Sequence, residues 1–299
     1  MTPPATAAEA GAGYLRMREG RPAAVRGRAH LIWVEGPDAA GFLHGLLSAD
    51  VAGLAPGEGR RALLLDAKGH VTADMAVHRD AGDAFTLVVA PELSEALAAT
   101  LERYHFSEEL DLLGPEETEL VTIVGAGAPP DGAGLVVPGL VPGTLDAIVD
   151  SAEGALAALG IDEAHPAALE MARIVAGVPR VGVDTGPATL VQEAALEDVA
   201  VSFDKGCYLG QETVARLQYR GRPNRRLRGL ELPSPPPPAG AAVTREGREI
   251  GRLTSVAETP DLGAVGLAIL RREAVAGDEV GFEGADGTAR VVDLPLGRS

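Results

Sequence analysis

Cysteine is almost absent from this 299-residue chain; the only one is Cys207. A lone cysteine excludes an intramolecular disulfide and any cysteine-rich zinc or iron–sulfur centre built within one chain. Lysine is nearly as scarce. Only Lys68 and Lys205 occur among 26 basic residues, and each precedes a glycine, in Lys68-Gly69 and Lys205-Gly206. Arginine is a planar fork and does not replace a compact ammonium, so two retained lysines point to two places that need one. Aromatics make up 3% of the chain against 46% hydrophobic residues, so alanine, valine and leucine must fill the core. No apolar run approaches the roughly 20 residues of a membrane-spanning helix, and residues 1–20 lack a basic stretch followed by an apolar one. No membrane partner and a cytoplasmic location are therefore expected. The histidines, at 30, 44, 70, 78, 105 and 165, show no short ligand spacing, so no resident metal is expected.

The net charge of −17 argues against general affinity for nucleic acid or anionic membranes. The charge is uneven, however. Between residues 205 and 228 stand seven bases (Lys205, Arg216, Arg220, Arg222, Arg225, Arg226, Arg228) and one acid, Glu212. A basic island in an acidic chain points to a local anionic partner: a polycarboxylate tail, a phosphate or an RNA backbone. The alternative is a solvated arginine face paired with the acidic surface.

Cys207 lies in Lys205-Gly206-Cys207-Tyr208-Leu209-Gly210-Gln211-Glu212. Residues 199–203 read as a short apolar strand and residues 211–219 as a helix, with Glu212 and Arg216 at the favourable i,i+4 spacing. Residues 204–210 then form a strand-to-helix turn in which Gly206 and Gly210 give backbone freedom. Such a turn sets Cys207 near a helix N-terminus and an ammonium, both of which favour thiolate. A small buried cysteine is the structural alternative.

Along the chain, residues 42–47 read as helical and residues 62–65, 71–77 and 85–90 as strands. Leu93, Leu97 and Leu101 mark one face of a helix over 91–106, with Pro91 in its first turn. Residues 125–143 are Gly- and Pro-rich and predict a loop; 145–159 and 166–176 predict helices. The run Pro233-Ser234-Pro235-Pro236-Pro237-Pro238 is a stiff spacer. Beyond it, short strands over 242–244, 250–256, 265–270, 279–282 and 288–292 predict a small antiparallel barrel. The expected division is 1–228, with a second lobe at about 60–125, a linker at 229–240 and a barrel at 241–299.

With these residues laid out, the chain resembles the YgfZ family, itself similar to the aminomethyltransferase (T-protein) of the glycine cleavage system. The octet from Lys205 to Glu212, continued by Thr213-Val214-Ala215-Arg216, carries the resemblance most specifically. Weaker matches are residues 42–51, Lys68-Gly69-His70-Val71 with Asp74, Arg173 with Ala176-Gly177-Val178-Pro179 and Gly182, and Arg220-Gly221-Arg222 with Asn224-Arg225. Gly251-Arg252-Leu253-Thr254-Ser255 looks like the family's barrel.

The resemblance implies an α+β fold: two α+β lobes around a central folate channel plus a C-terminal antiparallel β-barrel. It implies tetrahydrofolate, or a one-carbon or polyglutamate derivative, as cofactor, and iron–sulfur client enzymes or assembly factors as partners, among them an enzyme that thiomethylates tRNA. Cys207 would act as nucleophile or transient ligand beside Lys205. Asp74, Lys68, Gly69, Gly206, Tyr208, Gln211, Glu212, Arg216 and Arg222 would line the cofactor site, with Asp74 at the pterin edge and the arginines at the glutamate tail. The chain departs from the T-protein pattern at Val175, where that pattern has a glutamate, and at Ala90, where it has an asparagine. A folate-dependent aminomethyl or methyl transferase is thus the second reading. An RNA-binding module is the third, weakened because only Tyr208 and Tyr219 interleave the arginines.

Overall fold

The computed structural model describes residues 7–125 and 134–297. It begins with α1 (Ala7–Arg18), β1 (Ala23–Glu35), α2 (Ala39–Leu46), β2 (Gly59–Leu65), β3 (Val71–Arg79), β4 (Ala84–Val89), α3 (Pro91–Tyr104) and β5 (Asp111–Val124). Next come β6 (Leu135–Pro138), β7 (Thr144–Val149), α4 (Ala152–Leu159), α5 (Pro166–Ala176), α6 (Glu197–Ala200) and α7 (Gln211–Arg220). The chain closes with β8 (Arg225–Glu231), β9 (Ala242–Arg245), β10 (Arg248–Thr259), β11 (Gly263–Arg271), β12 (Glu279–Phe282) and β13 (Ala285–Val292).

The first seven strands form one antiparallel sheet in the order β2-β3-β4-β1-β5-β7-β6. The two expected lobes share this sheet, with the long β1 bonded to β4 on one side and β5 on the other. The sheet curls until its edges approach, and β6 packs on β2 and β3. Ala29, Ala76, Val88 and Val137 meet on its inner face although they stand on four different strands. The outer face is covered by α2 and α3, whose Leu43, Leu46, Leu97 and Leu101 share one apolar core with Leu64, Met75 and Leu87. The α3 leucines sit one above another at i,i+4, which is why the expected periodicity yields a helix there.

The last six strands close into an antiparallel barrel, β10-β11-β8-β13-β12-β9, around Leu230, Leu253, Leu270, Phe282 and Val291. Its strand β8 precedes the proline run, and the stretch 229–240 holds the end of β8. Barrel and body meet over Leu227, Val265 and Leu267 on one side and Tyr14, Ile174 and Val175 on the other.

A polar network pins this junction. Arg173 of α5 is buried and donates to Glu170 (2.9 and 2.6 Å), to the Val178 carbonyl (2.6 Å), to Asp184 (2.8 Å) and to Ser255 of β10 (2.8 Å). Asp184 also accepts from the Arg180 amide, Ser255 and Thr254. Its neighbouring carboxylates outweigh desolvation and raise Arg173 further, so it stays charged.

Two local expectations are corrected. Residues 199–203 are not a strand. Ser48 accepts from the Ser202 amide and donates to the Ala200 carbonyl, so a side chain and a loop satisfy the backbone where a partner strand would, and residues 197–200 coil into the short α6. Residues 145–159 are not one helix. Residues 144–149 pair with β5 as β7, and Ser151 caps α4 by accepting from the Gly154 amide. Of the loop expected at 125–143, residues 126–133 lie outside the described residues and 135–138 form β6.

Asp184→Ala leaves the buried Arg173 without its inner carboxylate. It should lower unfolding free energy by about 3–5 kcal/mol, read by urea denaturation. Under ~1 kcal/mol would mean the network does not hold the junction.

Candidate functional site

The last turn of α2 leaves carbonyls that no helical amide can reach. The Lys205 loop supplies their donors. Lys205 Nζ donates to the carbonyls of His44 (2.5 Å), Leu47 (2.7 Å) and Ala49 (3.0 Å), and the Leu209 amide donates to Gly45 (3.2 Å). A cation at a helix C-terminus also meets the favourable end of the helix dipole. Burial pulls the Lys205 ammonium down to about 8, with the Asp50 carboxylate acting the other way. The same burial, with the Lys205 charge, lowers His44 despite Asp50, so its imidazole is neutral at pH 7.

Tyr208 is the loop's second anchor. It is buried beside Val71, Val191 and Val214, with Lys205 Nζ 5.1 Å from its ring centre, and burial pushes its hydroxyl up to about 12. Between the anchors, Gly206 and Cys207 are exposed. The ammonium expected beside Cys207 therefore spends its three donors on carbonyls at the end of α2 and just beyond it.

The Lys68-Gly69 turn meets this loop through its glycine. Asp66 holds the turn by accepting from the amides of Lys68 (2.8 Å) and His70 (2.9 Å) and pairing with the His70 ring (2.9 Å). Burial pushes its carboxyl up, but these bonds outweigh it and hold it below the ordinary range. Gly69 and Gly210 both adopt positive φ, 84° and 78°, and their backbones touch. A Cβ on Gly210 would stand 2.4 Å from the Asp66 carbonyl oxygen, so only glycine lets the turn seat against α7. Lys68 is exposed and takes no part in this packing.

The other expected site residues are spread more widely. Gln211 and Glu212 open α7, and Arg216 is exposed further along it. No ion pair joins Glu212 to Arg216 among the described residues; at an exposed i,i+4 site such a pair gains little over solvation. Arg222 lies beyond the helix, exposed. Asp74 faces none of these. It is hydrogen-bonded by Arg61 from the neighbouring strand β2. Val175 is buried in the apolar junction, so an acid at that position has no counterpart here.

A cavity of about 460 Å³ opens between the sheet and α5. Its walls include Val25, Thr122, Asp146, Leu169, Arg173 and Arg180. Thr122 and Asp146 are direct partners across β5 and β7, and the Thr122 hydroxyl donates to the Asp146 carboxylate (2.6 Å). Burial raises the Asp146 carboxyl, with Thr122 and the Arg61 charge opposing. Arg180 Nε is buried at this cavity without a hydrogen-bond partner. Asp146 escaped the sequence reading because its placement depends on the β5–β7 register, and a lone acid in an apolar stretch was its only signal. Among the described residues no group of three or more histidine, cysteine or carboxylate side chains is arranged to hold a metal ion, and no helix is long and apolar enough to cross a membrane.

A curled antiparallel sheet docked on a six-stranded barrel is the architecture of the aminomethyltransferases. The aminomethyltransferase of the Bartonella henselae glycine cleavage system superposes with a TM-score of 0.79 at 25% identity, covering 96% of this chain and 89% of that one. Residues 224–294 match the family described as CAF17, C-terminal beta-barrel domain. The tRNA-modifying protein YgfZ of Klebsiella pneumoniae is 30% identical over 221 residues, 66% of this chain and 67% of that protein. The mitochondrial iron–sulfur cluster assembly factor IBA57 homolog of Pyricularia oryzae is 26% identical over 290 residues, 81% and 70% of the two chains. The chain belongs to the YgfZ family.

Lys205→Met keeps most of the buried stem and removes the donors from three carbonyls. It should cost roughly 2–4 kcal/mol and speed hydrogen exchange at the Leu209 amide. Lys205→Arg should recover only part of this, because a planar fork does not reach three converging carbonyls. Wild-type stability in Lys205→Met would refute the capping role.

Proposed function

We propose that this protein binds a folate and supports the assembly or maintenance of iron–sulfur enzymes, presenting Cys207 as the reacting or ligating thiol. The observation that carries this reading is the contrast within one loop. Lys205 and Tyr208 are anchored, while Gly206 and Cys207 between them are exposed. An immobilised, accessible thiol suits transfer or transient ligation with a second molecule, because its position is fixed before the encounter. The relatives, a tRNA-modifying protein and an iron–sulfur cluster assembly factor, support the same direction.

The cavity behind α5 is the proposed folate site. Asp146 offers an acceptor for the donor-rich edge of a pterin, and the apolar walls at Val25, Leu140, Val141 and Leu169 suit its flat faces. Of the two candidate acids Asp146 lines this cavity with one neutral partner, the Thr122 hydroxyl, whereas Asp74 is held in an ion pair by Arg61. Lys68, Gly69, Gly206, Gln211 and Glu212 serve in this reading as the frame of the thiol loop, with Arg216 and Arg222 free to meet a partner. The apolar burial of Val175 weighs against a full aminomethyltransferase.

Calorimetric titration of the purified protein with tetrahydrofolate should show binding that falls about tenfold or more in Asp146→Leu. No binding to wild type would remove the folate half of the proposal. Cys207→Ala should bind folate as wild type does yet fail to restore iron–sulfur enzyme activity in cells lacking the protein. Full restoration by Cys207→Ala would remove the thiol from the mechanism.

A further inference from the structure

Cross-strand register places Arg225 of β8 directly opposite Arg271 of β11. Direct partners leave the same face of a sheet, and like charges set opposite one another are destabilising. The next pair on that face is apolar, Leu227 with Ile269, and Leu227 packs against the body, so this is the outer face of the barrel. Arg252, opposite Ile269 on β10, brings a third guanidinium to the same face.

Carboxylates are not in short supply, with 43 acids against 26 lysines and arginines. Nearby arginines find them: Arg226 pairs with Glu197, Arg228 with Asp293, Arg252 with Glu249 and Arg272 with Glu273. Arg225 and Arg271 pair with none among the described residues. Both side chains are exposed, and Glu273 feels the Arg271 charge, but no carboxylate among the described residues forms an ion pair with either.

They line a cavity of about 520 Å³ between the barrel and the loop of residues 183–189. Two buried hydroxyls, Thr185 and Thr189, also line it. Each accepts from a loop amide, Gly182 and Gly186 respectively, and neither donates to an acceptor among the described residues, so both O–H groups are unspent. The acids at this cavity are spoken for. Asp184 is saturated by Arg173, Arg180, Thr254 and Ser255, and Glu249 faces Arg252.

We propose that this cavity is a binding site for a phosphate-class dianion, gripped between the Arg225 and Arg271 forks and capped by the Thr185 and Thr189 hydroxyls. Paired guanidinium forks with hydroxyl donors suit a tetrahedral oxyanion bearing two charges; one flat carboxylate would occupy a single fork. The volume exceeds that of a bare phosphate, so the ligand class is a small phosphomonoester. The site is separate from the Asp146 cavity: Asp184 lines one, Arg173 lines the other, and the two are bonded to each other. The proposal therefore does not rest on the folate reading.

The test is calorimetric titration of the full chain at low ionic strength with glycerol 3-phosphate, inorganic phosphate, citrate and a short single-stranded RNA. Glycerol 3-phosphate should bind with a Kd of about 1 mM or tighter, and Arg225→Gln and Arg271→Gln should each weaken it about tenfold or more. Arg248→Gln, a change at an exposed arginine that does not line the cavity, should leave binding as in wild type. Without ligand the two variants should melt no lower than wild type, because each relieves a like-charge pair; with ligand only wild type and Arg248→Gln should gain melting temperature. Absence of phosphate binding, or equal binding by Arg225→Gln and Arg271→Gln, would overturn the proposal. So would tighter binding of citrate, which would make the site a polycarboxylate site, or RNA binding that glycerol 3-phosphate does not displace.

Discussion

A buried guanidinium decides how the two halves of this molecule meet. Arg173 has five N–H donors and nearly no water. Its own helix supplies only Glu170; the rest of its partners are the Val178 carbonyl, Asp184 and the barrel's Ser255. Apolar residues of similar volume could seal such a junction with equal stability, but they would tolerate sliding, whereas this network is satisfied in one register only. Both cavities follow from it. Arg173 walls the space between sheet and α5, and Asp184 walls the space between loop and barrel. The positions of two separate sites thus depend on one side chain's need for acceptors.

The thiol loop solves a different problem with the same economy. A helix as short as α2 ends in carbonyls that need donors, and a lysine arriving from far along the chain provides three from one atom. This explains why lysine survives at 205 in a chain that otherwise uses arginine. A point-like ammonium fits converging carbonyls where a planar fork does not. The matching Lys68-Gly69 doublet has another cause. There the glycine is the constrained residue, required by its contact with α7, and the lysine is exposed. Two identical dipeptides therefore share a neighbourhood but not a role. Exposure of Cys207 is then a consequence of geometry, since anchoring the residues on either side of Gly206-Cys207 turns that pair outward.

Much of the fold was readable where one local rule dominated. Leucines at i,i+4 placed α3, alternating strands with turn residues placed most of the barrel, and the glycine before Gln211 placed the start of α7. The reading missed β1 and β5, the longest strands of the sheet, because their burial does not alternate cleanly. Arg26, Arg28 and His30 take one face of β1 opposite only small residues, Gly27 and Ala29, and glutamates at 116, 117 and 119 interrupt β5. The site was legible only in part for a related reason. Cys207 and its loop stand out in sequence, but the acceptors of Lys205 lie 156 to 161 residues away. Asp146 gains its meaning only when β5 and β7 pair. A reading confined to neighbours along the chain assigned the ammonium to the nearest thiol, and tertiary structure gave it to the farther carbonyls.

The basic island shows how far composition can carry an electrostatic argument. Seven bases against one acid between residues 205 and 228 suggest a single positive surface, and the fold breaks that surface apart. Lys205 turns inward to α2. Along β8, alternation sends Arg225 and Leu227 to one face and Arg226 and Arg228 to the other. The second pair finds Glu197 and Asp293, and the first arginine meets another arginine instead. What distinguishes the Arg225 face is therefore not local charge density, which the whole island shares. It is that Arg225 and Arg271, opposed at one register position, line a cavity beside hydroxyls that have protons left to give. Arg216, Arg220 and Arg222 are also exposed and without an ion pair among the described residues, but they are spread along α7 and the turn after it and line none of the cavities described above. Confining two arginines, unpaired and opposed, to the wall of a cavity is what recognition of a small, doubly charged ligand requires.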